Sequence, residues 1–306
     1  MTIRIALVGF GKIAKDEHLP AIDANSEFEL VAVVTPGHPP DVGCAVFRTL
    51  AEMLQEMPGG VDAIAICTPP APRCVIAAEA IAAGIPVLLE KPPTATLGEL
   101  DDLIELAKIL AVPVLAAWHS QYAAGVAAAA QALHDEEVVR LSMVWREDVR
   151  KYHAGQTWIW NPGGFGVFDP GINGLSILAY ILPEPLLVRD ATLFFPNNRQ
   201  APIAANLVFH GGNMTAEMDW RGESDEQWSI HIETKSGKVI NLMQGGAELA
   251  LNGVRQNLEP QDEYCAIYAE FARVLKSCSS NMDREPLRIV TDCFLIGERK
   301  MIEDFV

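Results

Sequence analysis

The chain has 306 residues, enough for two domains with separate cores, and 50% hydrophobic with 21% charged residues is a globular balance. A net charge of −17 and a pI near 4.8 weigh against a nucleic-acid binder, which needs a basic face, and against a polybasic membrane anchor. The six cysteines form no C-x-x-C pair and have no histidine partners at zinc spacing, so free thiols, a reducing compartment and no metal site are expected.

From the N-terminus the pattern runs strand, helix, strand. Short apolar strands are expected at residues 3–8, 30–35, 63–67, 86–89 and 112–117, with helices at 74–83 and 97–110 between them. Continuous apolar strands alternating with helices predict a doubly wound parallel sheet covered on both faces. The first apolar run is too short for a signal peptide and no run reaches the length of a membrane span, so a cytoplasmic protein is expected.

Gly9-Phe10-Gly11-Lys12-Ile13-Ala14 fits G-x-G-x-x-A between the first strand and the first helix. Gly9 allows the tight turn, Gly11 allows close approach of a pyrophosphate, and Ala14 lets helix and strand pack. The cofactor expected is NAD or NADP. The second strand ends at Thr35 with no acid to read a ribose, and no Lys or Arg lies between Lys15 and Arg48. Thr35 can hydrogen-bond either dinucleotide and protonated His38 can assist a 2′-phosphate, so the preference stays open.

Beyond a helix at 125–134 the pattern changes to longer strands of alternating polarity at 138–147, 190–195, 204–210, 213–220, 227–234 and 238–242. Turns such as Gly211-Gly212-Asn213 and Lys235-Ser236-Gly237 join them. Helices at 262–278 and 286–304 close the chain. The result is an α/β chain with a Rossmann domain over 1–120. A C-terminal α+β domain over 121–306 carries a large, mainly antiparallel open sheet whose uncovered face would support a homo-oligomer.

Glu90-Lys91-Pro92 follows a later strand of the parallel sheet, where such sheets deliver residues to ligands. A glycine-rich loop then leads through Phe168-Asp169-Pro170 into Gly171-Ile172-Asn173. Pro170 suits a first helical turn, Asp169 falls at or near the N-cap, and Asn173 lies one turn on. Together with the Rossmann start and the antiparallel half, these motifs resemble the glucose-fructose oxidoreductase/inositol dehydrogenase family over essentially the whole chain. Asn173 stands where many relatives have His, so a histidine relay at that position is in doubt.

Trp118-His119-Ser120, Trp145-Arg146-Glu147-Asp148, the stretch from Trp158 to Gly164 and Asp219-Trp220-Arg221 resemble the branch that oxidises C1 of L-arabinose or D-galactose. The resemblance implies NAD(P)-dependent oxidation of an aldose to its aldonolactone, with L-arabinose placed slightly first. It implies catalytic or sugar-positioning roles for Lys91, Asp169 and Asn173. Lys91 would be base or oxyanion partner with Asp169 orienting it; if Lys91 stays charged, Asp169 would be the base. The family pattern adds Lys12, Ile13, Thr68, Pro69 and Glu90 along the dinucleotide, and His119, Glu147, His153 and Trp228 along the sugar. A structural histidine is an equal reading of His119 and His153, and Glu147 could instead pair at the surface with Arg150 or Lys151. A different family dehydrogenase, acting on an inositol or other polyol or on a hexose elsewhere than C1, and a non-catalytic sugar- or nucleotide-sensing regulator are the competing readings.

Overall fold

The computed structural model describes residues 2–37, 40–211, 213–222 and 226–306. The first elements are β1 (Ile3–Val8), α1 (Leu19–Ala24), β2 (Phe28–Val34), β3 (Ala45–Phe47), α2 (Leu50–Glu56), β4 (Ala63–Ile66), α3 (Pro70–Ala82), β5 (Val87–Glu90), α4 (Leu97–Leu110) and β6 (Val114–Ala117). Then follow α5 (Val126–Leu133), β7 (Val138–Arg146), α6 (Val149–Tyr152), α7 (Phe168–Ile181), β8 (Val188–Pro196), β9 (Ala204–Phe209) and β10 (Met214–Asp219). The last are β11 (Gln227–Thr234), β12 (Val239–Met243), β13 (Glu248–Leu251), β14 (Val254–Arg255), α8 (Glu263–Ser277), α9 (Glu285–Ile296) and β15 (Glu298–Ile302). Among the described residues no helix is long and apolar enough to cross a membrane.

Two compact units result, Met1–Trp118 with Asp262–Asp283, and His119–Gln261 with Arg284–Val306. A cut near residue 120 would leave α8 with the second unit, but α8 returns to the first. Its cause is aromatic packing: Phe28 stacks on Phe271 and meets Tyr268 edge-on, burying the apolar face of α8. The chain after α8 also pairs with β6, where the Val114 amide donates to Ser280 Oγ at 3.0 Å and Leu115 bridges Asn281.

The first unit is a parallel sheet in the order β3-β2-β1-β4-β5-β6. Every residue of β4, β5 and β6 is buried, as expected for strands covered on both faces. Order reverses between β1 and β4, so the C-terminal ends of β1, β4 and β5 gather at the switch point where such sheets take ligands. Thr96 and Glu99 form a capping box that starts α4, satisfying two of the helix's orphan N–H groups.

The second unit is a nine-stranded sheet in the order β14-β13-β12-β11-β7-β10-β9-β8-β15. Most pairs are antiparallel, but β7–β10 and β8–β15 are parallel. Alternating burial along β7 and β11 marks one covered face and one half-exposed face. On the covered face α7 comes so close that a Cβ at Gly174 would stand 2.6 Å from both the Trp145 ring and Met143 Sδ. The helix expected over 286–304 stops at Ile296. Gly297 ends it, and residues 298–302 form β15, a parallel edge strand beside β8. A Cβ at Gly297 would lie 2.4 Å from the Cys293 carbonyl oxygen, so the chain turns there as only glycine allows.

Candidate functional site

In the first unit, β1 runs into Gly9 at φ +89°, whose amide donates to the Val34 carbonyl at 2.8 Å. A Cβ there would meet the Thr68 amide nitrogen at 2.9 Å, so both conformation and the adjoining chain require glycine. Gly11 has nothing within 4 Å of its Cβ position, leaving open the approach a pyrophosphate needs. Lys12 is exposed and ion-paired with Asp16, and Ile13 is half-buried at the helix start. A π-helical turn, Ala14–His18, follows and leads into α1. The i→i+5 turn breaks the regular helical register and carries a fully buried His18.

Thr35 closes β2, half-buried, with its amide on the Phe47 carbonyl. His38 lies outside the described residues. Beyond β4, Thr68 buries a side-chain hydroxyl that has no hydrogen-bond partner among the described residues, and Pro69 beside it is exposed. An orphaned buried hydroxyl beside an open glycine cradle fits a polar ligand group at the end of β4. These residues therefore suit the dinucleotide implied by the fold: Gly9, Gly11, Ile13 and Thr68 would hold it.

Lys91 is half-buried immediately after β5, and the Lys91–Pro92 bond is cis. The carboxylate of Glu90, 3% exposed, is engaged on both oxygens. Oε2 accepts from the Lys91 amide at 2.8 Å; Oε1 accepts from the Tyr264 hydroxyl at 2.7 Å and lies 2.9 Å from His18 Nε2. His18 Nδ1 in turn meets the Tyr268 hydroxyl at 2.9 Å.

Burial opposes a charge on His18, but Cys67, Tyr268 and Glu90 around it outweigh that and hold its pKa well above the ordinary imidazole value. Burial pushes Tyr268 up to about 12, and burial with the Glu90 charge raises Tyr264 well above its usual value. A raised folded-state pKa means the native protein holds the His18 proton after the unfolded chain has lost it. His18 thus contributes stability that is complete below about pH 6.5 and is lost as pH rises through its folded value. Melting temperature is expected to fall across that range, and the fall should shrink in His18→Gln. Parallel pH–melting curves for the two proteins would contradict it.

The second unit holds the other candidates. Asp169 sits in the first turn of α7, 4% exposed. It is not the N-cap residue itself: Val167 occupies that position, two residues before it. Its Oδ2 lies 3.4 Å from His153 Nε2. Asn173, half-buried, follows one turn on, and both project from the side of α7 away from Gly174. His153 Nδ1 is 3.4 Å from Gln156 Oε1, which also accepts from Trp158 Nε1 at 3.0 Å. The His153 ring packs edge-on against Trp220, centroids 5.0 Å apart.

Glu147 is 8% exposed and gripped by two indoles: Trp220 Nε1 donates to Oε1 at 3.0 Å and Trp228 Nε1 to Oε2 at 3.1 Å. Arg150, named from sequence as a surface partner of Glu147, pairs with Asp148, and Lys151 with Glu226. His119 is half-buried, its Nδ1 3.3 Å from Ser120 Oγ. Within this unit the structure joins Asp169, His153, Trp220, Glu147 and Trp228 into one chain of contacts.

Sequence reading did not single out His18, Arg73, Tyr264 or Gln156. His18 and Tyr264 are polar side chains buried at the cofactor half, and only the π turn and the aromatic face of α8 hint at them.

Three comparisons bear on this arrangement. Residues 3–117 match the model of an oxidoreductase family with an NAD-binding Rossmann fold. Galactose 1-dehydrogenase of Pseudomonas fluorescens is 45% identical over 99% of this chain and 98% of its own. The crystal structure of D-galactose-1-dehydrogenase from Rhizobium etli superposes with a TM-score of 0.93 at 44% identity, covering 100% of this chain and 98% of that one. A 3-ketoreductase from Actinomadura kijaniata, solved with NADP, shares the fold at a TM-score of 0.82 and 15% identity over 99% of this chain and all of that one.

Proposed function

The chain belongs to the glucose-fructose oxidoreductase/inositol dehydrogenase family of oxidoreductases, and on that premise we propose that it is an NAD(P)-dependent aldose 1-dehydrogenase. The observation that carries the reading is the 45% identity, end to end, with a galactose 1-dehydrogenase. D-Galactose is the first substrate on that ground. L-Arabinose, placed first from the sequence, shares its hydroxyl configuration from C1 to C4 and is the second. The product in either case is the aldonolactone.

A bound nicotinamide supplies the chemistry of accepting a hydride from C1. The protein must bind the sugar, remove the anomeric hydroxyl proton and stabilise the oxygen as charge builds on it. Lys91 acts on that hydroxyl, as base or as electrostatic partner. Asp169 and Asn173 engage sugar hydroxyls, and the imidazole of His153 beside Asp169 gives that carboxylate a neighbour able to hold a proton. Asn173 cannot exchange protons itself. Glu147, His119 and Trp228 shape the rest of the sugar half. The protein's six free thiols suit a reducing, cytosolic location. A second copy would pack on the half-exposed face of the nine-stranded sheet, and a monomer by light scattering would remove that element.

The test is absorbance at the reduced-nicotinamide band with NAD or NADP and a panel of aldoses. Reduction with D-galactose, then L-arabinose, above other hexoses and inositols is expected. Dinucleotide binding without reduction by any aldose would overturn the reading.

A further inference from the structure

The main chain around Lys91 is held by buried side chains from three other elements. Arg73 of α3 is 3% exposed, and its guanidinium donates to the carbonyls of Glu90 and Pro92 through one nitrogen and to that of Thr68 through another. The Lys91 amide between those carbonyls donates to the Glu90 carboxylate. That carboxylate is in turn held by Tyr264 of α8 and His18 of the π turn. Three main-chain groups flanking Lys91, the 90 carbonyl, the 91 amide and the 92 carbonyl, are thus each tied to a buried side chain.

We infer that Arg73, and His18 with Tyr264 acting through Glu90, are positioning residues that fix the Lys91 backbone so that its ammonium is delivered to one place. Burying a guanidinium on carbonyls and a carboxylate under an imidazole and a phenol carries a desolvation penalty that apolar residues of the same volume would avoid. What the arrangement provides is directional. The guanidinium fork spans carbonyls that a lysine ammonium, a single point of charge, cannot span together. The ionised carboxylate accepts charge-assisted hydrogen bonds from amide, phenol and imidazole at once. The freedom left at Lys91 is then that of its side-chain torsions, and misplacement of a reacting group by about 1 Å costs on the order of a hundredfold in rate.

The catalytic half of this inference rests on the dehydrogenase reading; the main-chain half does not, and the experiment separates them. Tyr264→Phe removes one donor and keeps the ring. His18→Leu removes the imidazole contact, while His18→Gln restores a nitrogen donor. Hydrogen exchange is read on a short peptide spanning Lys91, which is well resolved because Pro92 and Pro93 carry no amide. Exchange should quicken about tenfold in Tyr264→Phe and His18→Leu, and less in His18→Gln. With D-galactose, kcat should fall about tenfold with KM and dinucleotide affinity within about twofold, His18→Gln lying between His18→Leu and the parent. Faster exchange in the variants, with a parent protein that turns over no aldose, would keep the positioning claim and remove the sugar reading. Unchanged exchange in both Tyr264→Phe and His18→Leu would overturn the positioning claim. So would faster exchange with kcat intact.

Discussion

Lys91→Ala is expected to lower kcat for aldose oxidation by about a thousandfold while dinucleotide affinity stays within about threefold, since general acid–base groups contribute roughly 10²–10⁴ in rate. The physical ground is the division of labour at this residue. Its amide and the carbonyls on either side are held by Glu90 and Arg73, neither of which the substitution touches. The backbone, and with it the ends of β4 and β5, should therefore survive loss of the ammonium. Titration of dinucleotide fluorescence and single-turnover absorbance separate binding from chemistry. Weakened dinucleotide binding with maximal rate preserved would make Lys91 a cofactor contact only.

Asp169→Ala should lower kcat by about a hundredfold or more, with Asp169→Asn close behind because it keeps the shape and loses the charge. A capping aspartate would behave differently, costing about 1 kcal/mol of stability and sparing turnover. Val167 precedes α7, and the Asp169 carboxylate, 4% exposed, lies 3.4 Å from His153 Nε2. Measuring melting temperature beside rate decides it. A large fall in melting temperature with normal kcat would restore the structural role.

The positions that the sequence placed correctly were those whose geometry is local. Gly9 could be put at the turn after β1 because strand end, turn and helix start lie within six residues, and Lys91 just after β5 because a short apolar strand ends immediately before it. Contacts that join distant segments were not legible. Glu147 has Arg150 and Lys151 close by in sequence, yet its partners are indoles 73 and 81 residues further on. Tyr264 reaches Glu90 across 174 residues, and this return of α8 draws Asp262–Asp283 into the first unit. The short edge strand β3 escaped notice because three residues carry too little pattern. β15 was read as helix because pairing with β8, not its own mostly exposed residues, makes it a strand.

Transfer of the label from D-galactose deuterated at C1 tests the central claim most directly, by mass spectrometry of the dinucleotide recovered after reaction. The account predicts that the reduced nicotinamide gains one deuterium and that the sugar is recovered as galactonolactone or its hydrolysed acid. Reduced dinucleotide without deuterium would place the oxidation at another carbon, and no reduced dinucleotide at all would remove aldose oxidation from this protein.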